Sequence, residues 1–434
     1  MKIGFVSLGC SKNLVDSEQM MGMLQENGHS IVGNVDEADA IVINTCGFIV
    51  AAKEESINTI FEMAQTGKKI IVVGCLAQRY EQQLREQIPE IDAVVAIHDY
   101  DKLPEILKNI LHDEGKGSYS CSQRALSTQP WRAYVKISDG CSNHCTYCAI
   151  PLIRGEQMSK LISEVRQEVE NLASRGVKEV TLIAQDTTKY GLDNYNELKL
   201  AELIRELDTV EGIHWIRILY MYPDEIEDDV LQAMAQSKKV LPYFDIPMQH
   251  ANNRLLKKMN RRGTKEDVVA LVQKIRAMFP EATLRTTAIV GFPSETEEEF
   301  NELVEFIKEI GWDRFGAFTY SKEEDTPAYF MSPEVDSGTA QRRLETLMQV
   351  QKEVSLRKNQ EKIGKVIEVL VEEKEALTNR YRGRSAADAP DEVDGQVIFT
   401  STQDIELGSF VPVLITEAKQ YDVVGKHYVE KDFA

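Results

Sequence analysis

"RAYVKISDGCSNHCTYCAIP", residues 132 to 151, runs from an alternating strand pattern straight into three cysteines, Cys141, Cys145 and Cys148. A compact loop leaving the end of a strand can present three such thiols to one inorganic centre. A structural zinc site takes four protein ligands, whereas an iron–sulfur cluster held by three thiolates keeps one iron open. Zinc stays as the alternative, because His144 lies inside the motif; His144 is read here as an ordinary loop residue.

The strand that carries the loop is the first of six. "RAYVKIS", "EVTLIA", "IHWIRIL", "LPYFDIP", "ATLRTTAIV" and "RFGAFTY" are each followed by a helical segment such as "SEVRQEVENLASRG". Six β–α units in a row predict a barrel or partial barrel of the TIM type, with its site at the carboxyl ends of the strands. Upstream, "KIGFVSL", "DAIVINT", "KIIVVG" and "AVVA" alternate with amphipathic stretches and predict a separate parallel α/β sheet. Beyond a charged helix near residues 338 to 362, short strands without long helices predict a small antiparallel β-barrel. The fold class is therefore α/β. The expected organisation is an amino-terminal domain over 1–112, a linker over 113–130, a central barrel with its connecting helix over 131–363, and a terminal barrel over 364–434.

The 434 residues carry 50 Lys and Arg against 70 Asp and Glu, a net charge of −20 that repels a phosphate backbone. Nucleic acid is disfavoured as the main partner. The amino terminus lacks the build of a secretory signal, and no run approaches the roughly 20 apolar residues that span a bilayer. A cytoplasmic protein without membrane partners is the expectation. Seven cysteines in such a chain point to metal or catalytic use rather than disulfides.

Three of the seven repeat the theme of the opening motif. Cys10, Cys46 and Cys75 each stand just past the carboxyl end of their own strand. Neighbouring parallel strands lie only ~4.8 Å apart, so the three thiols can converge on one sheet edge. Cys121 falls in the expected linker and is read as an unliganded thiol.

With these residues in view, the chain resembles the radical S-adenosylmethionine (SAM) superfamily, and over its whole length the methylthiotransferase family. The resemblance rests on CxxxCxxC after the first barrel strand, the second cysteine set, "CAIPLIRG" at 148 to 155 and "TTAIVGFPSETEEEF" at 286 to 300. It implies two four-iron four-sulfur clusters, one on Cys141, Cys145 and Cys148 and one on Cys10, Cys46 and Cys75. It further implies SAM as radical source and methyl donor, a methylated sulfur delivered from the second cluster, and a carboxyl-terminal TRAM domain. SAM-contacting residues would be Tyr147, Gln185, Asp186, Gln249 and Gly291, with no catalytic residue beyond the cluster ligands. His250 is left out, because hydrogen abstraction by a radical needs no general base at that step.

"SLGCSKNLVDSE" at 7 to 18 and "YRGRSAADAPDEVDG" at 381 to 395 are similar to the RimO-type branch, a transferase that adds a methylthio group to the β-carbon of an aspartate in the twelfth protein of the small ribosomal subunit. Lysine at 160 departs from the family's usual arginine. The implied partners are that basic ribosomal protein and an electron donor such as flavodoxin or ferredoxin. Residues 367 to 434 hold seven Lys and Arg against fourteen Asp and Glu, net 7 − 14 = −7, which suits a basic protein better than RNA. A tRNA adenosine methylthiotransferase with the same two-cluster chemistry and a non-catalytic iron–sulfur scaffold are the competing readings.

Overall fold

The computed structural model describes residues 1–112, 124–391 and 393–429. Cys121 and residues 113–123 of the expected linker lie outside them. The remainder of that segment is not a loose tether. Arg124 is buried between Glu18 and Glu168, and the Ser127 N–H and hydroxyl both donate to Glu18 Oε1 at 2.7 and 2.8 Å.

The amino-terminal strands β1 (Lys2–Ser7), β2 (Ser30–Val32), β3 (Ala40–Thr45), β4 (Lys69–Gly74) and β5 (Ala93–Val95) form one parallel sheet in the order β2-β1-β3-β4-β5. β3 is buried along its whole length and β4 except at its first residue, as a central parallel strand covered on both faces requires. The sheet order places β1, β3 and β4 side by side, so the three strands that end at cysteines are neighbours.

The central region holds β6 (Arg132–Lys136), a short antiparallel pair β7 (Ser138–Asp139) and β8 (Met158–Ser159), and then β9 (Glu179–Ile183), β10 (Trp215–Ile218), β11 (Tyr243–Asp245), β12 (Thr283–Val290) and β13 (Arg314–Thr319). All six expected barrel strands are present. They run as two parallel triplets, β10-β9-β6 and β11-β12-β13. A bridge from Ile216 to Val240 joins the triplets, and β6 and β13 do not pair with each other. The partial six-stranded barrel is thus open on one side.

Its interior is filled from both ends by other parts of the chain. Leu14 and Val15 of helix Ser11–Glu26 pack among Tyr134, Ile183, Trp215, Leu219, Leu241 and Tyr243. From the amino ends of the strands enters the loop that follows β15, carrying Ala386 and Ala389. That loop also brings charge. Arg314 pairs with Asp388, and the Tyr243 hydroxyl donates to Asp394 at 2.5 Å. The Tyr134 hydroxyl donates to Asp391 at 2.5 Å.

β14 (Val366–Lys374), β15 (Arg380–Ser385), β16 (Val397–Thr400), β17 (Phe410–Ala418) and β18 (Val423–His427) close into the terminal barrel in the order β14-β15-β16-β18-β17. The expectation of an antiparallel barrel needs one correction: β16 and β18 pair in parallel, because β17 lies between them in sequence but not in space. No helix among the described residues is long and apolar enough to cross a membrane.

Candidate functional site

Both cysteine sets sit at carboxyl ends of parallel strands. In the amino-terminal sheet, Cys10 caps helix Ser11–Glu26, Cys46 follows β3, and Cys75 opens helix Cys75–Arg79 directly after β4. A side chain on Gly9 would stand 3.3 Å from Cys46 Sγ and 3.2 Å from the Asn13 amide nitrogen, so Cys46 lies against the Cys10 turn. Asn13 closes the group: its Oδ1 is 3.4 Å from Cys75 Sγ, and its amide donates to the Leu8 and Thr45 carbonyls. Gly74 enters Cys75 at φ +97°, and a Cβ there would lie 2.7 Å from the Thr45 nitrogen. Only glycine permits that turn.

The second set lies on a loop pinned at both ends. β7 pairs with β8, and the Cys141 N–H donates to the Gly155 carbonyl at 3.0 Å. The middle is fastened to other strand ends. The Asn143 amide donates to Asp186 Oδ2 at 2.7 Å, the Thr146 hydroxyl to the Lys258 carbonyl at 2.9 Å, and the Ala328 N–H to the Thr146 carbonyl at 2.9 Å. Arg261, stacked 3.7 Å over the Tyr222 ring, reaches to 3.8 Å from Cys145 Sγ.

The two sets share a wall. Cys75 packs with Ala149 and Ile153, and Ala149 is the residue next to Cys148. Between them sits Arg154, almost fully buried. Its Nη2 donates to Asn13 Oδ1 at 2.7 Å and to Asp16 Oδ2 at 2.8 Å, and lies 3.6 Å from Cys75 Sγ; its Nη1 donates to Asp139 Oδ2 at 2.8 Å. Lys136 joins the same acids, at 2.5 Å from Asp16 and 2.6 Å from Asp139. Partial burial would raise the half-buried Asp139 carboxyl, but these two cations hold it well below the usual range. A second latch lies across the open barrel: Glu323, beyond β13, accepts from Lys53 and Arg79 at 2.9 Å each. The amino-terminal domain is thereby fastened to the segments beyond both free edge strands, β6 and β13.

Burial pushes the Cys46 and Cys141 thiols up to about 11, and Cys148 higher still, with neighbouring thiols of each set adding to the rise. Thiolates so placed call for a cationic centre, and iron displaces their protons. No group of three or more His, Cys, Asp or Glu among the described residues is arranged for a single metal ion. The donor chemistry fits two clusters. For SAM the fit rests on polar atoms left without partners beside the cysteine loop: Gln185 Oε1, Ser138 Oγ and Gln157 Nε2.

The expected SAM-contacting residues fare differently. Gln185 donates to Asp139 at 3.1 Å and keeps its oxygen free. Asp186 is buried; its Oδ2 accepts from the Asn143 amide and its Oδ1 from the Thr188 N–H and hydroxyl, which fastens the cysteine loop. Tyr147 packs with Leu255, Met259 and Phe292. Gln249 takes φ +74° while its backbone pairs with Thr287 and Ile289. Gly291, at φ +73°, is required by packing, since a Cβ would lie 2.6 Å from that of Ala340. A cavity of about 540 Å³ opens beside it, lined by Pro293, Tyr320, Lys322, Ser337 and Gln341. His250 is wholly buried; its Nδ1 accepts from the Asn252 N–H, so Nε2 donates to Glu295 at 3.3 Å, a structural role. Lys160 pairs with Glu168 at 2.7 Å. Reading the sequence did not single out Arg154, Asn13, Arg261 or Lys12, although Arg154, Asn13 and Lys12 lie inside quoted motifs.

Residues 2–96 match the Uncharacterized protein family UPF0004, 135–307 the Radical SAM superfamily and 363–427 the TRAM domain. Proteins named ribosomal protein uS12 methylthiotransferase RimO from Acetivibrio thermocellus and Clostridioides difficile are each 46% identical, covering 98% of this chain and 98% of their own. One from Desulforamulus reducens is 47% identical over 98% of this chain and 99% of its own. Among solved structures, the radical SAM methyltransferase TsrM from Kitasatospora setae, with tryptophan and a SAM analogue bound, aligns with TM-score 0.57 at 13% identity. It covers 75% of this chain and 74% of its own, and shows likeness of fold alone. With two thiol sets at adjoining strand ends and relatives of this identity matched end to end, the chain belongs to the RimO family of radical SAM methylthiotransferases.

Proposed function

We propose that this protein methylthiolates ribosomal protein uS12, replacing a hydrogen on the β-carbon of one aspartate by a methylthio group. The observation that carries the reading is the shared wall: Cys75 packs against the residue adjoining Cys148, so the two thiol sets serve one reaction chamber. When bound, the clusters and SAM supply the electron, the carbon-centred radical and the sulfur to be transferred. The chain's own residues hold that arrangement. Asn13 and Arg154 brace the second thiol set, Arg261 and Tyr222 flank Cys145, and Asp186 anchors the loop between Cys141 and Cys145. The paired cations Lys53 and Arg79 close the amino-terminal domain over the barrel.

The electron donor is a flavodoxin or ferredoxin, and the protein works in the cytoplasm, where its substrate is made. Part of the acidic excess of residues 367 to 434 supports docking of a basic protein, but the side chains of Asp388 and Asp394 are buried against the central barrel and are not available for it, and the exposed Asp391 is already paired with Arg132. The test is mass spectrometry of uS12 from cells with and without the gene, and of purified uS12 treated with the anaerobically reconstituted enzyme. The expected outcome is the mass gain of one methylthio group at one aspartate. Its absence with both clusters loaded and SAM being cleaved refutes the function.

A further inference from the structure

Lys12 stands in the first turn of helix Ser11–Glu26, two residues beyond Cys10, and is only 7% accessible. Its ammonium lies 3.1 Å from the centroid of the Tyr220 ring and makes no hydrogen bond or ion pair with any described residue. The cations around it are all matched: Lys136 and Arg154 hold Asp16 and Asp139, and Arg285 holds Asp245. An ammonium has three donors, and an aromatic face satisfies none of them as a hydrogen-bond acceptor of full strength. A side chain so largely buried, with no anion among its described neighbours, leaves its ammonium to be completed by an incoming anionic group.

The ring beneath it is held firmly. Tyr220 has φ +61°, a conformation that a bulky L residue rarely adopts. Its N–H donates to Asp245 Oδ2 at 2.9 Å, and its carbonyl accepts from the Thr187 N–H at 3.0 Å and hydroxyl at 3.1 Å. Backbone strain maintained by this many partners marks a position whose geometry matters. Tyr220 follows β10 at its carboxyl end, so the ammonium stands where the second thiol set meets the mouth of the barrel.

We propose that Lys12 Nζ binds the side-chain carboxylate of the target aspartate, and is thereby a positioning and specificity residue of the reaction; this rests on the function proposed above. The carboxylate carbon is bonded directly to the β-carbon, so gripping the carboxylate fixes the β-carbon one bond, and its hydrogens two bonds, from the held carbon. On a chain of net charge −20, an acidic side chain needs a local cation to enter at all. Lys12 supplies that charge on the side of Cys10, from which the sulfur is to come.

The test compares binding of uS12 carrying the native aspartate, or asparagine in its place, to the cluster-loaded enzyme by fluorescence anisotropy. Wild type is expected to prefer the aspartate by about 10-fold or more, the scale of a charge-assisted hydrogen bond. Lys12→Met and Lys12→Gln should each reduce the preference to about 2-fold or less, while Lys12→Arg retains part of it. Iron content and circular dichroism establish that each variant is loaded and folded. A wild-type enzyme that does not distinguish the two targets, or neutral variants that keep the full preference, would overturn the assignment. Wild type that leaves uS12 unmodified refutes the function instead, whereas normal methylthiolation with an unchanged preference refutes only the role of Lys12.

Discussion

Glu179→Gln tests how the terminal barrel is joined to the central one. Glu179 is fully buried at the start of β9. Its Oε1 accepts from Arg217 Nε at 3.1 Å and its Oε2 from Arg384 Nη2 at 2.5 Å, and Arg384 belongs to β15. Burial alone would raise this carboxyl, but the guanidiniums of Arg384 and Arg217 bring it down from 4.5 to about 2. At ~1.4 kcal/mol per pH unit that difference corresponds to about 3 kcal/mol of stability, within the range expected when one member of a buried ionic cluster is neutralised. Arg384 keeps Glu372 at 2.9 Å and Arg217 keeps the Ala386 carbonyl at 2.9 Å, which argues for the lower end of that range.

The junction has its own reporters. Trp215 meets Phe410 of β17 edge-on with ring centroids 4.7 Å apart, and Trp131 lies against Gly408. Urea titration followed by tryptophan fluorescence should show the variant destabilised by about 3 kcal/mol at pH 7. Because the folded-state value lies below the unfolded one, Glu179 contributes its full stability above about pH 4.5 and loses it as pH falls toward 2. The gap between wild type and variant should therefore close over that window. A difference under about 1 kcal/mol at pH 7, or a gap independent of pH, would refute the reasoning.

Gly74→Ala forces a side chain into the turn before Cys75; strain and overlap together cost about 2–4 kcal/mol, and iron content should fall by the share of the second cluster while SAM cleavage continues. Cys141→Ala should remove the other cluster, abolishing formation of 5′-deoxyadenosine but leaving iron on Cys10, Cys46 and Cys75, as Mössbauer spectra would reveal. Glu323→Gln leaves Lys53 and Arg79 without their buried carboxylate and should cost about 3 kcal/mol. Amide exchange in helix Val50–Ala64 should accelerate, and methylthio product per SAM cleaved should fall.

What was legible in the sequence was whatever depends on neighbours along the chain. The alternation of β3, β4 and the six barrel strands shows in short windows because side-chain direction repeats every two or 3.6 residues. The position of Cys10, Cys46 and Cys75 relative to their strands is equally local, and parallel topology does the rest by bringing the ends together. β2, only three residues long, has no such periodicity to read. The parallel pairing of β16 with β18 depends on how the terminal sheet closes.

Pairing across the fold was decided only by the tertiary structure. Arg154 follows Cys148 by six positions, yet its partners Asn13 and Asp16 lie in another domain. The open side of the barrel, and its filling by Leu14, Val15 and the loop carrying Ala386 and Ala389, could not be read from any one segment. Charge behaves in the same way. Counting acids in residues 367 to 434 treats them all as surface, whereas Asp388, Asp391 and Asp394 are held by arginines of the central barrel. Composition is additive over residues, but electrostatic energy depends on distance and burial, and these exist only in the folded chain. The unmatched ammonium of Lys12 is the plainest instance: in sequence it is one of 50 cations, and folding alone leaves it buried without an anion at the meeting of the two thiol sets.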